Sequence, residues 1–173
     1  MTFGREPTID KRPWIAPSCG VPIVHQIRYV CDLKDSAISK VSSMAWQEYA
    51  RREGCRYILW SPDELDTLVQ KYARPDIVEF YKGVKFIAQR VDIARFIVLH
   101  AYGGIYADLH VFPNRDRYPQ VPLGLCAGPC RPGSRRDEWA IDVIVAARGN
   151  SILRWIVENM IKVTEETNGI GSY

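Results

Sequence analysis

The 173-residue sequence holds three histidines, too few for a metal-dependent phosphoesterase centre, which draws on more Asp and His ligands. It has no concentrated basic surface either. The net charge is +3, and the densest cationic run, 131–136 (RPGSRR), reads as a solvated loop. That balance admits an anionic ligand but predicts no nucleic-acid partner. No G-x-G-x-x-G follows the first apolar run, which disfavours a dinucleotide oxidoreductase. The five cysteines, at 19, 31, 55, 126 and 130, are odd in number and scattered. They suit free thiols in a reducing compartment better than a disulfide framework. The C-x-x-x-C at 126–130 lacks the second Cys or His pair that zinc requires. The N-terminus has no apolar signal core, and the longest apolar stretch, 84–104, contains Lys85, Arg90, Asp92 and Arg95. It cannot lie across lipid as a spanning helix, so the expectation is a soluble, cytoplasmic chain with no integral membrane segment. Internal repeats and low-complexity segments are missing too.

What is present suffices for one domain: hydrophobic residues make up 47% and charged residues 25% of the chain, an ordinary globular balance. Residues 1–20, rich in proline and charge, read as an N-terminal arm, leaving 21–173 as the domain. Residues 22–30 (PIVHQIRYV) form an apolar, β-branched run, hence a buried strand. In 35–54, Ile38, Val41, Ala45 and Tyr49 recur at helical spacing, with Gly54 as a stop. A second strand at 55–60 (CRYILW) precedes a helix opened by Ser61, Pro62 and Glu64, a capping box with proline at the first helical position. A helix over 84–102 ends at Gly103-Gly104 and feeds a strand over 105–112. A long loop over 113–137, a strand over 139–148 and a helix over 151–163 capped by Ser151 complete the pattern. Strand and helix alternate, so the expected fold is α/β with a mixed, mostly parallel sheet flanked by helices.

The residues that carry chemistry sit around the double glycine. Along a strand, alternate side chains share a face. Ile105, Ala107, Leu109 and Val111 then make a core face, and Tyr106, Asp108, His110 and Phe112 the opposite one. A carboxylate and an imidazole pointing the same way can share one ion, and that donor pair suits Mn²⁺ and tolerates Mg²⁺. Spacing alone leaves open a plain polar pair at a strand end. On the preceding helix, Asp92 and Arg95 are three apart and neighbours on one face, beside a core stripe of Val91, Ala94, Val98 and Ala101. The double-glycine turn returns the chain so that this charged pair stacks beside Asp108 at one edge of the sheet. Asp142, on the later strand, is a further carboxylate able to face the site. His100, Trp60 and Trp139 read as structural, with Trp139 also placed to border an acceptor.

The run 89–111 (QRVDIARFIVLHAYGGIYADLHV) resembles the signature of glycosyltransferases of the DXD sugar-binding family. Fungal outer-chain mannosyltransferases, bacterial capsular sugar transferases and, more distantly, the glucosyltransferase domains of large clostridial toxins belong to it. The family pattern is Asp-x-x-Arg on a helix, a Tyr-Gly-Gly-x-Tyr turn, then Asp-x-Asp. Asp92, Arg95, Tyr102, Gly103, Gly104, Tyr106 and Asp108 match it in order and spacing. The resemblance spans roughly 20–173, with looser support from 22–27, 57–60, 143–153 and the Gly-rich end 167–173. It implies a single GT-A, Rossmann-like domain that binds a nucleotide-sugar, UDP- or GDP-linked, and transfers its hexose to a hydroxyl of a glycan or glycoconjugate acceptor with retention of configuration. It places Asp108 at the metal and diphosphate, Asp92 and Arg95 on the sugar hydroxyls as catalytic residues, and Tyr106 beside the donor. Two positions depart from the pattern. His110 replaces the second Asp; a neutral imidazole is a competent Mn²⁺ ligand, so metal binding is expected to survive and to fail below about pH 6, given an imidazole pKa near 6.5. Arg28 stands where many relatives carry a base-stacking Trp, and a guanidinium can stack as well. His25, next to it on the first strand, is either structural or a donor contact. These departures keep a second reading in view, a non-catalytic nucleotide-sugar-binding domain.

Overall fold

The structure, a computed structural model, describes residues 22–28, 37–113, 125–129 and 139–166. The expected arm at 1–20, the basic run at 131–136, the pairing of Cys126 with Cys130 and the Gly-rich end at 167–173 therefore fall wholly or partly outside the described residues. In chain order the elements are β1 (Ile23–Ile27), α1 (Ala37–Arg52), β2 (Arg56–Trp60), α2 (Pro62–Tyr72), α3 (Pro75–Gly83), α4 (Ile87–Tyr102), β3 (Gly104–Ala107), β4 (Leu125–Pro129), β5 (Trp139–Ala146) and α5 (Ser151–Glu166). The strands form one sheet in the order β2-β1-β3-β5-β4. β1 pairs in parallel with β2 and with β3, whereas β5 runs antiparallel to both β3 and β4. Four strands thus share a direction and one opposes them, the mixed α/β sheet that strand-helix alternation predicts. No helix among the described residues is long and apolar enough to cross a membrane.

Helices cover both faces. α1 packs on one side against Val24, Ile105, Ala107 and Val145 through Trp46, Tyr49 and Ala50. On the other side α2, α3, α4 and α5 enclose a larger core that includes Ile27, Leu65, Ile97, Tyr106, Ile144, Leu153 and Val157. All five residues of β1 are buried, as expected for a parallel strand covered on both faces.

Several elements differ from their sequence reading, each for a physical reason. The strand over 105–112 stops at Ala107; the chain then turns, with the Val111 N–H donating to the Asp108 carbonyl at 3.1 Å. Leu109 and Val111 are consequently half-buried rather than core. β3 is the central strand, not an edge. α4 is buried all round from Ile93 to Ala101, not along one stripe, because it lies between the sheet, α2 and α5. The stretch 75–83 forms a separate helix, α3, opened by Pro75. β4 interrupts the expected loop 113–137. The cap of α5 is Asn150, whose side-chain oxygen accepts from the Ile152 N–H, rather than Ser151. The Ser61 capping box is present in full. α1 is rotated relative to its apolar spacing: Ser42, Ser43, Trp46, Tyr49 and Ala50 are buried, while Ile38, Val41 and Met44 are exposed.

The double glycine is required twice over. Gly103 and Gly104 have φ of +67° and +101°, a region that side chains disfavour. A Cβ on Gly104 would also lie 2.1 Å from the Ile23 carbonyl oxygen, and one on Gly103 2.6 Å from the Arg148 nitrogen. Only glycine lets the end of α4 drop straight into the centre of the sheet.

Candidate functional site

Because β1, β2 and β3 are parallel, their carboxyl ends meet at one edge of the sheet and deliver Arg28, Ser61 and Asp108 there. β1 and β3 are neighbours at which the strand order reverses: β2, which follows β1, lies on one flank of the pair, and β4, which follows β3, lies on the other. In open α/β sheets that is the position of the ligand crevice. Ladder contact persists one residue past β3, the Asp108 N–H donating to the Asp142 carbonyl of β5 at 2.8 Å. Asp108 therefore still follows Tyr106 on the α4 face, and the turn brings His110 round beside Asp142.

Arg95 is the hub beneath this edge. Its guanidinium donates to the Ile141 carbonyl at 2.8 Å and to Asp92 at 2.5 Å, lies 3.5 Å from the Asp108 carboxylate, and stacks 4.8 Å from the centre of the Tyr106 ring. The Tyr106 hydroxyl donates to Asp108 in turn. Arg95 keeps 6% of its side chain exposed, against 18% for Asp92 and 16% for Asp108, so the carboxylates and not the guanidinium reach the surface. Burial pulls the Arg95 pKa down, but the surrounding Tyr106, Asp108, Asp92 and Asp142 outweigh it and the net shift is upward. Burial raises the Asp108 carboxyl despite Arg95 and the Tyr106 hydrogen bond, and holds the Tyr106 phenol well above its ordinary value.

Asp108, His110 and Asp142 each present a ligand atom, all within 4.8 Å of one another; the His110 Nε2 lies 4.0 Å from Asp142. Ligands about 2.1 Å from a common divalent ion stand roughly 3–4 Å apart, so the three donors fit one ion after a small closure. Two carboxylates and one imidazole form a donor set that suits Mn²⁺. His110 and Asp142 are 58% and 46% exposed, which leaves the cluster open to a ligand.

The remaining predicted site residues divide. Arg28 is exposed at the end of β1. His25 is fully buried, one step inside the sheet at the level of Tyr106, and both ring nitrogens are engaged. Nε2–H donates to the Gly103 carbonyl at 2.9 Å, and Nδ1 accepts from the Trp60 indole N–H at 3.1 Å. Burial lowers its pKa to about 4, keeping it neutral. With Trp60 and Tyr102 it forms an aromatic stack under the double-glycine turn. His100 likewise holds structure, its Nδ1 hydrogen-bonded to the Asn150 carbonyl.

Sequence reasoning overlooked a polar set on the opposite face: the buried Gln26, Ser42 and Trp46, with the half-buried Tyr57 beside them. The Tyr57 hydroxyl donates to Gln26 Oε1 at 2.8 Å; Gln26 Nε2–H lies 3.3 Å from both the Ser42 Oγ and the Asp108 carbonyl. The signal was two adjacent serines and a glutamine among apolar neighbours, which hydrophobic periodicity discards.

Residues 32–122, just over half of the chain, match the family described as a glycosyltransferase sugar-binding region containing a DXD motif. The chain is 24% identical over 148 residues to HOC1 of Saccharomyces cerevisiae, which carries the name of a glycosyltransferase, covering 75% of this chain and 37% of that one. It is 32% identical over 107 residues to an uncharacterized glycosyltransferase of Acanthamoeba polyphaga mimivirus, with 62% and 43% covered. Inositol phosphoceramide mannosyltransferase 3 of Schizosaccharomyces pombe is 27% identical over 105 residues, with 60% and 28% covered. The chain thus spans less than half the length of each of these relatives.

Proposed function

This chain belongs to the glycosyltransferases whose sugar-binding region contains the DXD motif, and from that premise we propose that it transfers a hexosyl group from a nucleotide-sugar to a hydroxyl of a glycan or glycoconjugate acceptor. The observation that supports this most is the cluster of Asp108, His110 and Asp142 at the carboxyl edge of the sheet, with Arg95 buried beneath it. These three residues would hold a divalent ion, with Mn²⁺ favoured by the imidazole. When bound, such an ion neutralises the charge that builds on the leaving diphosphate. Arg95 places a fixed positive charge under that position and orients the carboxylates of Asp92 and Asp108. Asp92, more exposed than its partner Arg95, is the residue set to accept a sugar hydroxyl. Arg28, at the mouth of the crevice, would stack on the nucleotide base. His25 contributes indirectly, by fixing the turn from which β3 emerges.

The reading includes retention of configuration by same-face attack of the acceptor hydroxyl, since Asp92 and Asp108 are tied to Arg95 and Tyr106 rather than poised as nucleophiles. Mannose is the first sugar to test, because one of the relatives named above is a mannosyltransferase. The test is donor hydrolysis and transfer with Mn²⁺ across UDP- and GDP-hexoses. Turnover of one donor that is abolished by EDTA supports the proposal. Tight donor binding with no turnover on any acceptor assigns the chain instead to a binding module.

A further inference from the structure

α1 lies on the sheet with its serines inward and three large apolar side chains outward, an arrangement that costs apolar burial and calls for a polar partner. That partner is the turn that carries Asp108 and His110. The Ser42 Oγ–H donates to the Val111 carbonyl at 2.6 Å, and the Trp46 indole N–H donates to the same oxygen at 2.9 Å. At the other end of the turn, the Asp108 carbonyl accepts from the Val111 N–H and from Gln26 Nε2–H. Gln26 is oriented by Tyr57 and linked to Ser42. Gln26, Ser42 and Trp46 are all fully buried. Both terminal carbonyls of the turn are therefore pinned by side chains from two other elements.

We infer that Gln26, Ser42 and Trp46 are positioning residues for the metal site, clamping the 108–111 turn so that Asp108 and His110 hold their spacing opposite Asp142. Ladder pairing to β5 ends at the Asp108 N–H, and without the clamp the single hydrogen bond within the turn would leave the His110 ring free to drift from the carboxylates. Outer partners that orient metal ligands typically change affinity by 10- to 100-fold when removed. The inference rests on the Asp108–His110–Asp142 metal reading, and the experiment separates the two.

Mn²⁺ binding to the whole chain is followed by electron paramagnetic resonance of the free ion, well below the unfolding transition, for wild type, Ser42→Ala, Trp46→Phe, Ser42→Thr and Asp108→Ala. Leu68→Ala, in the core of the opposite face, serves as a destabilised control. The expected result is a loss of about 10-fold or more in Mn²⁺ affinity for Ser42→Ala and Trp46→Phe, with the hydroxyl-bearing Ser42→Thr nearer wild type and Leu68→Ala unchanged. In turnover, the Mn²⁺ concentration for half activity should rise while kcat at saturating Mn²⁺ holds. Wild-type affinity in both clamp variants, with binding lost in Asp108→Ala, overturns the clamp alone. An equal loss in Leu68→Ala reduces the effect to stability and overturns it too. Unchanged binding in Asp108→Ala overturns the metal reading beneath it.

Discussion

At the scale of single residues, Arg95 carries the largest burden, because it is the buried positive charge among Asp92, Asp108 and the Tyr106 ring. Removing it strands carboxylates in a poorly solvated place. Arg95→Met is expected to cost about 3–5 kcal/mol of stability, the range for breaking a buried ion pair from one side. Arg95→Lys keeps the charge but not the fork that reaches Ile141, Asp92 and Asp108 together, and is expected to cost about 1–3 kcal/mol. Urea unfolding measures both, and equal stability of the two variants would count against the fork. The grouping of Asp92, Arg95, Tyr106 and Asp108 was legible in the sequence because helical spacing and strand alternation survive as far as Asp108. His110 reached the same neighbourhood by a different route, through a turn that alternation did not foresee. The clamp residues were not legible, since their roles depend on which face α1 presents, and its apolar spacing pointed the other way.

At the scale of elements, the junction between α4 and β3 decides whether the site exists. Gly104→Ala would drive a Cβ into the Ile23 carbonyl at 2.1 Å, against the backbone of the parallel partner strand. It is expected to destabilise by more than about 3 kcal/mol or to prevent folding. Gly149→Ala, with φ of +74° but nothing within 4 Å, should cost only about 1–2 kcal/mol. Similar losses at both positions in denaturant unfolding would contradict the close-approach argument. The double glycine was visible in the sequence as a helix stop, but the approach of Ile23 was not, because nothing local places β1 beside it. His25 gives this junction a pH signature. Its pKa falls from 6.5 to about 4 in the folded chain, so the unfolded chain takes up the proton first. The stability it contributes is complete above pH 6.5 and is lost as pH falls from there to about 4. A shift of that size corresponds to about 3 kcal/mol. Between pH 7 and pH 4 the wild type should therefore lose about that much more stability than His25→Gln. Parallel declines in the two proteins would show that the ring is not held neutral.

At the scale of the whole molecule, the sheet order places one charged, open cluster where parallel strands end and the strand order reverses. The α/β class followed from strand-helix alternation, and the double-glycine segment identified the family before any packing was known. The centrality of β3, the separate helix α3 and the presence of β4 did not follow, because each depends on pairing between segments distant in sequence. The central claim is that Asp108, His110 and Asp142 form one divalent-ion site on which sugar transfer depends. Its most direct test is Mn²⁺ affinity measured beside donor hydrolysis for wild type, Asp108→Ala, His110→Ala and Asp142→Ala. The account predicts that each substitution weakens Mn²⁺ binding by at least about 10-fold, and that EDTA silences the wild type. Full wild-type turnover in EDTA, with Mn²⁺ affinity unchanged in all three variants, would contradict it.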